Sequence, residues 1–230
     1  MNRDSGCEIK ICGLGEPEQA AACAAMGAHA IGLVFFAKSP RCIRPDAAWR
    51  IRQALPEHVQ TIGVFVNESA ETISDMAEKG GLTGVQLHGR ETPELVRELR
   101  ARGLLVIKAL YMKGTPSAEN AGAYGADACL IECARGELPG GNAMAWNWAE
   151  AADIGKTAPF VLAGGLSPET VAEAIASARP DAVDVSSAVE AAPGKKDLNK
   201  VQAFIRAVHQ SSYHHPTRRI FNADGPYKQA

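Results

Sequence analysis

The sequence lacks the marks of several protein classes. Its formal net charge is -2, so it carries neither a basic field for nucleic acid nor an acidic tail. No apolar run reaches the length that spans a bilayer. Met1-Asn2-Arg3-Asp4-Ser5 has none of the apolar core of a secretory signal. The six cysteines include no C-x-x-C pair, and no Cys/His spacing fits a zinc site. Reduced thiols in a cytoplasmic protein are therefore expected. No G-x-G-x-x-G follows the first strand pattern, which argues against a doubly wound dinucleotide fold. What remains is an ordinary globular composition, 46% hydrophobic and 22% charged over 230 residues. That length suits one large α/β barrel.

Short apolar runs alternate with helical patterns along the chain. The run 30–36 is apolar throughout, the pattern of a strand buried on both faces, and 104–110 is a further strand pattern, apolar but for Lys108. Between them lie amphipathic stretches with clear starts. Thr92-Pro93-Glu94 combines an N-cap, an N1 proline and an early acid, and Ser167-Pro168-Glu169 repeats the pattern. A weaker helix is expected near 148–154. Eight such strand–helix units predict an α/β fold, a single (β/α)8 TIM barrel occupying 1–210. Residues 211–230 show no periodicity. They are expected to form a disordered or loosely docked tail whose removal leaves activity and melting temperature almost unchanged.

In such a barrel the chemistry sits at the C-terminal strand tips. The first tip, Ile9-Lys10-Ile11-Cys12-Gly13, sets a lysine and a cysteine on one face of a strand, since they are two residues apart. A neighbouring cation favours the thiolate, the basic form of cysteine. Glu132 ends an apolar strand roughly across the barrel, and Cys12 with Glu132 forms a possible base and acid pair. Arg41, Gln86, His88 and Asp184 offer polar groups for a small, oxygen-rich ligand. The last two strands end in Gly164-Gly165 and Ser186-Ser187, whose turns suit a phosphate. Gly141, in the glycine-rich stretch 136–142, would add a further wall.

These tips resemble the phosphoribosylanthranilate isomerase family of tryptophan biosynthesis. The resemblance is carried in order by Lys10-Ile11-Cys12-Gly13, Ser39-Pro40-Arg41, Gly63-Val64-Phe65-Val66-Asn67 and Val85-Gln86-Leu87-His88-Gly89. It continues in Leu162-Ala163-Gly164-Gly165-Leu166 and in Val183-Asp184-Val185-Ser186-Ser187 with Glu190, Pro193-Gly194 and Lys196-Asp197. It implies Cys12 as general base, Glu132 as general acid, Arg41 at the anthranilate carboxylate and Asp184 near the reacting ribose. It also implies the phosphate on Gly164, Gly165, Ser186 and Ser187. The implied reaction is an Amadori rearrangement with no metal or organic cofactor. Expected partners are a small phosphorylated substrate, without nucleic acid or membrane, and the chain is expected as a monomer or else a dimer. Two residues depart from the family. Glu132 stands where the family usually has aspartate, and Gly140-Gly141-Asn142-Ala143 stands where it usually reads Gly-Gly-Thr-Gly. The alternatives are a phosphosugar barrel acting on another aminoaldose, such as a histidine-pathway intermediate, and a phosphate-binding barrel without catalysis.

Overall fold

The computed structural model describes residues 6–133, 146–211 and 218–221. The order is β1 (Glu8–Cys12), α1 (Pro17–Met26), β2 (Ala30–Val34), α2 (Pro45–Ala54), β3 (Gln60–Phe65) and α3 (Ala70–Gly80). Then come β4 (Gly84–Leu87), α4 (Pro93–Ala101), β5 (Leu105–Tyr111), α5 (Ala121–Tyr124) and β6 (Ala128–Glu132). β7 (Phe160–Leu162), α6 (Val171–Ala178) and β8 (Ala182–Val185) close the barrel. A hairpin, β9 (Glu190–Ala192) and β10 (Lys195–Lys196), precedes α7 (Leu198–Gln210). β1 to β8 form a closed parallel barrel in sequence order, with β8 pairing back onto β1.

Alternation along each strand divides the chain into two cores. Ile9 and Ile11 pack outward with Ala20 and Cys23 of α1, in the layer between barrel and helices. The intervening Glu8, Lys10 and Cys12 point inward. Ala30, Ile62, Leu105, Ile107, Leu130, Val161 and Ala182 fill the barrel interior. Cys12, Val34 and Val64 form the uppermost apolar layer.

The helices start where short polar side chains can satisfy exposed N–H groups. Thr92 Oγ1 accepts from Leu95 N, Ser69 Oγ from Thr72 N, and Asp197 Oδ1 from Asn199 N and Lys200 N. Two local expectations differ. The stretch read as a helix near 148–154 is a pair of 3-10 turns, Trp148–Ala151 and Ile154–Lys156, with Trp148 Nε1 tied to Gly164 O. Ser167 builds a turn instead of the α6 cap. Its Oγ accepts from Glu169 N, while Thr170 Oγ1 donates to Gly165 O.

Within 211–230, the described residues 218–221 are packed against the N-terminal end of the barrel. Ile220 and Phe221 are buried and belong to the interior cluster. Glu8 Oε2 accepts from both of their backbone N–H groups, at 2.6 and 2.9 Å. Arg218 binds Asp181 through its backbone N–H at 2.8 Å and its guanidinium at 3.1 Å. These contacts differ from the loose docking expected of an aperiodic tail, because two adjacent apolar residues suffice to fill the barrel's lower opening. Among the described residues, no helix is long and apolar enough to cross a membrane.

Candidate active site

Strand alternation delivers the polar residues to the barrel mouth. Lys10 is wholly buried, and its Nζ donates to Asp184 Oδ1 at 2.8 Å, joining β1 to β8. Burial alone would lower the Lys10 pKa, but the charges of Asp184 and Cys12 push it up to about 12. Burial raises the Cys12 thiol above its ordinary value. Lys10 and Lys196 pull it down, and Asp184 adds to the rise. Thus Lys10 is a fixed cation beside a thiol that ionises with difficulty in the free protein. Gly32 leaves room for the pair: a Cβ there would fall 2.6 Å from Cys12 Sγ and 3.0 Å from Lys10 Nζ.

Arg41 reaches the same mouth from the loop after β2. Its Nε and Nη2 donate to the two carboxylate oxygens of Glu190 at 2.8 and 2.7 Å. Lys196 Nζ donates to Glu190 Oε1 at 2.9 Å and to Ser186 O at 3.1 Å. Ser186 Oγ in turn donates to the carbonyl of Cys12 at 3.0 Å. Glu190 is therefore the hub of a network that the sequence reading left out of the site. Both Glu190 and Lys196 stood in the motif after the eighth strand, and that was the signal available. Burial raises the Glu190 carboxyl, but hydrogen bonds and charge from Arg41 and Lys196 outweigh it and hold the group below the usual carboxylate range.

On the opposite wall, Gln86 and His88 follow one another inward from β4, with Gln86 Nε2 2.7 Å from His88 Nδ1. His88 Nε2 lies 3.6 Å from Glu132 Oε2 at the end of β6. Glu132 and Cys12 thus stand three strands apart around the closed barrel, by way of β7 and β8. Behind this wall is a second pair that sequence reading missed. Lys108 points outward from β5 and is wholly buried. It binds Glu91 Oε2 at 2.9 Å and the carbonyls of Leu87 and Gly89 at 3.0 Å each. A lysine in an apolar run gave no sign of which face it took.

The two turns read as a phosphate cradle leave neighbouring strands. β7 and β8 pair at Leu162 and Val183, and Gly164-Gly165 and Ser186-Ser187 follow directly. Gly164 and Gly165 have φ of 80° and 72°, a left-handed conformation that glycine adopts without steric cost. Trp146 Nε1 and Trp148 Nε1 fasten the first turn through the carbonyls of Ala163 and Gly164, at 3.3 and 3.2 Å. Gly141 lies outside the described residues. The structure brings Lys10, Cys12, Arg41, Asp184 and Ser186 into one linked group and Gln86, His88 and Glu132 into another.

Fold and site together define a class: a (β/α)8 barrel whose buried thiol, carboxyls and glycine turn are gathered at the C-terminal mouth. A family model described as N-(5'-phosphoribosyl)anthranilate (PRA) isomerase matches residues 9–207. The N-(5'-phosphoribosyl)anthranilate isomerase of Desulfatibacillum aliphaticivorans is 48% identical over 215 residues, covering 94% of this chain and 99% of that protein. The crystal structure of phosphoribosyl anthranilate isomerase from Thermotoga maritima superposes with a TM-score of 0.82 at 41% identity, covering 88% and 98% of the two chains. A crystal structure of phosphoribosyl anthranilate isomerase in complex with reduced 1-(o-carboxyphenylamino)-1-deoxyribulose 5-phosphate gives 0.79 at 40% identity, with the same coverage. The chain belongs to the N-(5'-phosphoribosyl)anthranilate isomerase family.

Proposed function

We propose that this protein converts N-(5-phosphoribosyl)anthranilate to 1-(2-carboxyphenylamino)-1-deoxyribulose 5-phosphate, with Glu132 as general acid and Cys12 as general base. The observation that carries the residue assignment is the buried Lys10 beside Cys12, with the Glu132 carboxyl on the facing wall. The relative crystallised with a reduced product analogue supports the phosphorylated ligand.

In the first step the Glu132 carboxyl gives its proton to the furanose ring oxygen. The bond from that oxygen to C1′ breaks, and the anilino nitrogen supplies electrons to form an iminium. The Cys12 thiolate then removes the proton on C2′, and its electron pair neutralises the iminium to give an enolamine. Loss of the C2′ hydroxyl proton and protonation at C1′ complete the ketose. The acid must begin protonated and the base deprotonated, so the site must treat the two groups oppositely. Lys10 and Lys196 stabilise the thiolate. Arg41 takes the anthranilate carboxylate, Asp184 a ribose hydroxyl, and the Gly164-Gly165 and Ser186-Ser187 turns take the phosphate. Glutamate in place of the family's usual aspartate extends the acid by one methylene toward the sugar.

The solved Thermotoga maritima relative is dimeric, and a dimer is the alternative to a monomer for this chain. The activity is tested by adding purified protein to phosphoribosylanthranilate formed in situ. The expected result is loss of the substrate's anthranilate signal with appearance of the ketose phosphate. Turnover only of a different aminoaldose phosphate would replace this reading.

A further inference from the structure

Gln86 and His88 were expected to offer polar groups to the substrate; in the structure His88 also faces Glu132, 3.6 Å away. Gln86 and His88 are almost fully buried, at 1% and 4% exposure. Gln86 Nε2 faces His88 Nδ1 across 2.7 Å; an amide nitrogen only donates, so with the amide in this orientation the ring nitrogen accepts. The ring proton then resides on Nε2. Among the described residues that nitrogen has no hydrogen-bond partner, and neither has the buried Oε2 of Glu132, 3.6 Å away, nor Gln86 Oε1. Two orphaned polar atoms facing each other in a dry site are costly to leave unpaired. A shift of a few tenths of an ångström joins them.

The surroundings keep the ring from leaving. It meets Tyr111 edge-on, with centroids 6.3 Å apart. Lys108 holds the carbonyls of Leu87 and Gly89, one residue before and one after His88. Glu91 accepts from Gly89 N and Asn67 N while pairing with that lysine. The backbone carrying His88 is thus clamped on both sides by a buried ion pair.

We infer that His88 is a positioning residue for Glu132, held by Gln86 as the tautomer whose Nε2–H receives the carboxylate as the acid gives up its proton. The inference rests on the reading of Glu132 as the acid. A carboxyl that has lost its proton becomes a stronger acceptor, and an N–H already aimed at it forms a short, charge-assisted bond. The contact is weak before proton transfer and strong after it, so it favours the transition state over the bound substrate.

The test begins with ¹⁵N NMR of histidine-labelled full-length protein, which reads the tautomer without reference to activity. The expected result is a protonated Nε2 and a bare Nδ1 on His88. Gln86→Glu, whose carboxylate accepts instead of donating, should put the proton on Nδ1 and lower kcat with little change in KM. His88→Leu should lower kcat about 10- to 100-fold, as loss of a hydrogen bond to a charged group does. His88→Asn, which keeps an N–H, should recover part of that loss. In the double variant with Glu132→Gln, the His88 change should have no further effect. An Nδ1–H tautomer in the wild type, or a folded His88→Leu protein with wild-type kcat while Glu132→Gln is inactive, would overturn the inference alone. A fully active Glu132→Gln would overturn the acid assignment beneath it.

Discussion

Lys10 Nζ lies 2.8 Å from Asp184 Oδ1, with no part of the lysine side chain exposed. The pair ties the first strand to the last beneath the Cys12 thiol and gives that thiol a fixed positive neighbour. Burial raises the Cys12 pKa and Lys10 opposes the rise. Lys10→Met removes the opposing charge and leaves Asp184 to push the thiol further up. The activity that depends on thiolate then requires more alkaline solution. The kcat/KM at neutral pH should fall at least about tenfold, with partial recovery as pH rises. An unchanged pH profile would separate Lys10 from the base.

The Arg41–Glu190–Lys196 network predicts an acid-linked stability. The Glu190 carboxyl is held below its ordinary range in the fold. Its contribution is therefore present above the unfolded value of about 4.3 and is lost as pH falls through the lower folded value. Glu190→Gln should flatten stability against pH in that acidic window and cost about 1.5–3 kcal/mol at neutral pH, since two cations lose a charged acceptor. Denaturant titrations of both proteins at neutral and acidic pH check this. Parallel curves would show that the network carries no linked proton.

Truncation after Gln210 should lower the melting temperature while leaving kcat within a few-fold of wild type. Ile220 and Phe221 fill the end of the barrel opposite the site, and burying such a side chain is worth about 1.5–3 kcal/mol. For a chain of this size each kcal/mol corresponds to about 2–4 °C. An unchanged melting temperature would mean that 218–221 contribute nothing to stability.

The barrel was legible because parallel strands buried on both faces leave continuous apolar runs, and their spacing counts the units. Strand alternation also made Lys10 and Cys12 readable as neighbours on one face of the first strand. Alternation does not say which parity faces inward when every residue is buried, so the role of Lys108 as an outward strut was not legible. The anchoring of Ile220 and Phe221 had no signature, since two adjacent apolar residues have no period. Glu190 was visible as part of a motif, yet its role depends on Arg41, 149 residues away in sequence.

Gly165→Asp should raise KM far more than it lowers kcat. A carboxylate would face the phosphate, and φ of 72° strains any residue with a Cβ. Equilibrium binding of the reduced product analogue by calorimetry checks it. Wild-type affinity in the variant would move the phosphate away from the Gly164-Gly165 turn.

The central claim is that Cys12 and Glu132 exchange the protons of the rearrangement, and paired kinetics of their variants test it most directly. With phosphoribosylanthranilate formed in situ, Cys12→Ser and Glu132→Gln should each lose roughly 10²–10⁴-fold in kcat while still binding the product analogue. Glu132→Asp, which keeps the carboxyl but retracts it by one methylene, should retain measurable activity. An active Glu132→Gln beside an inactive Asp184→Asn would contradict the account and give the acid role to Asp184.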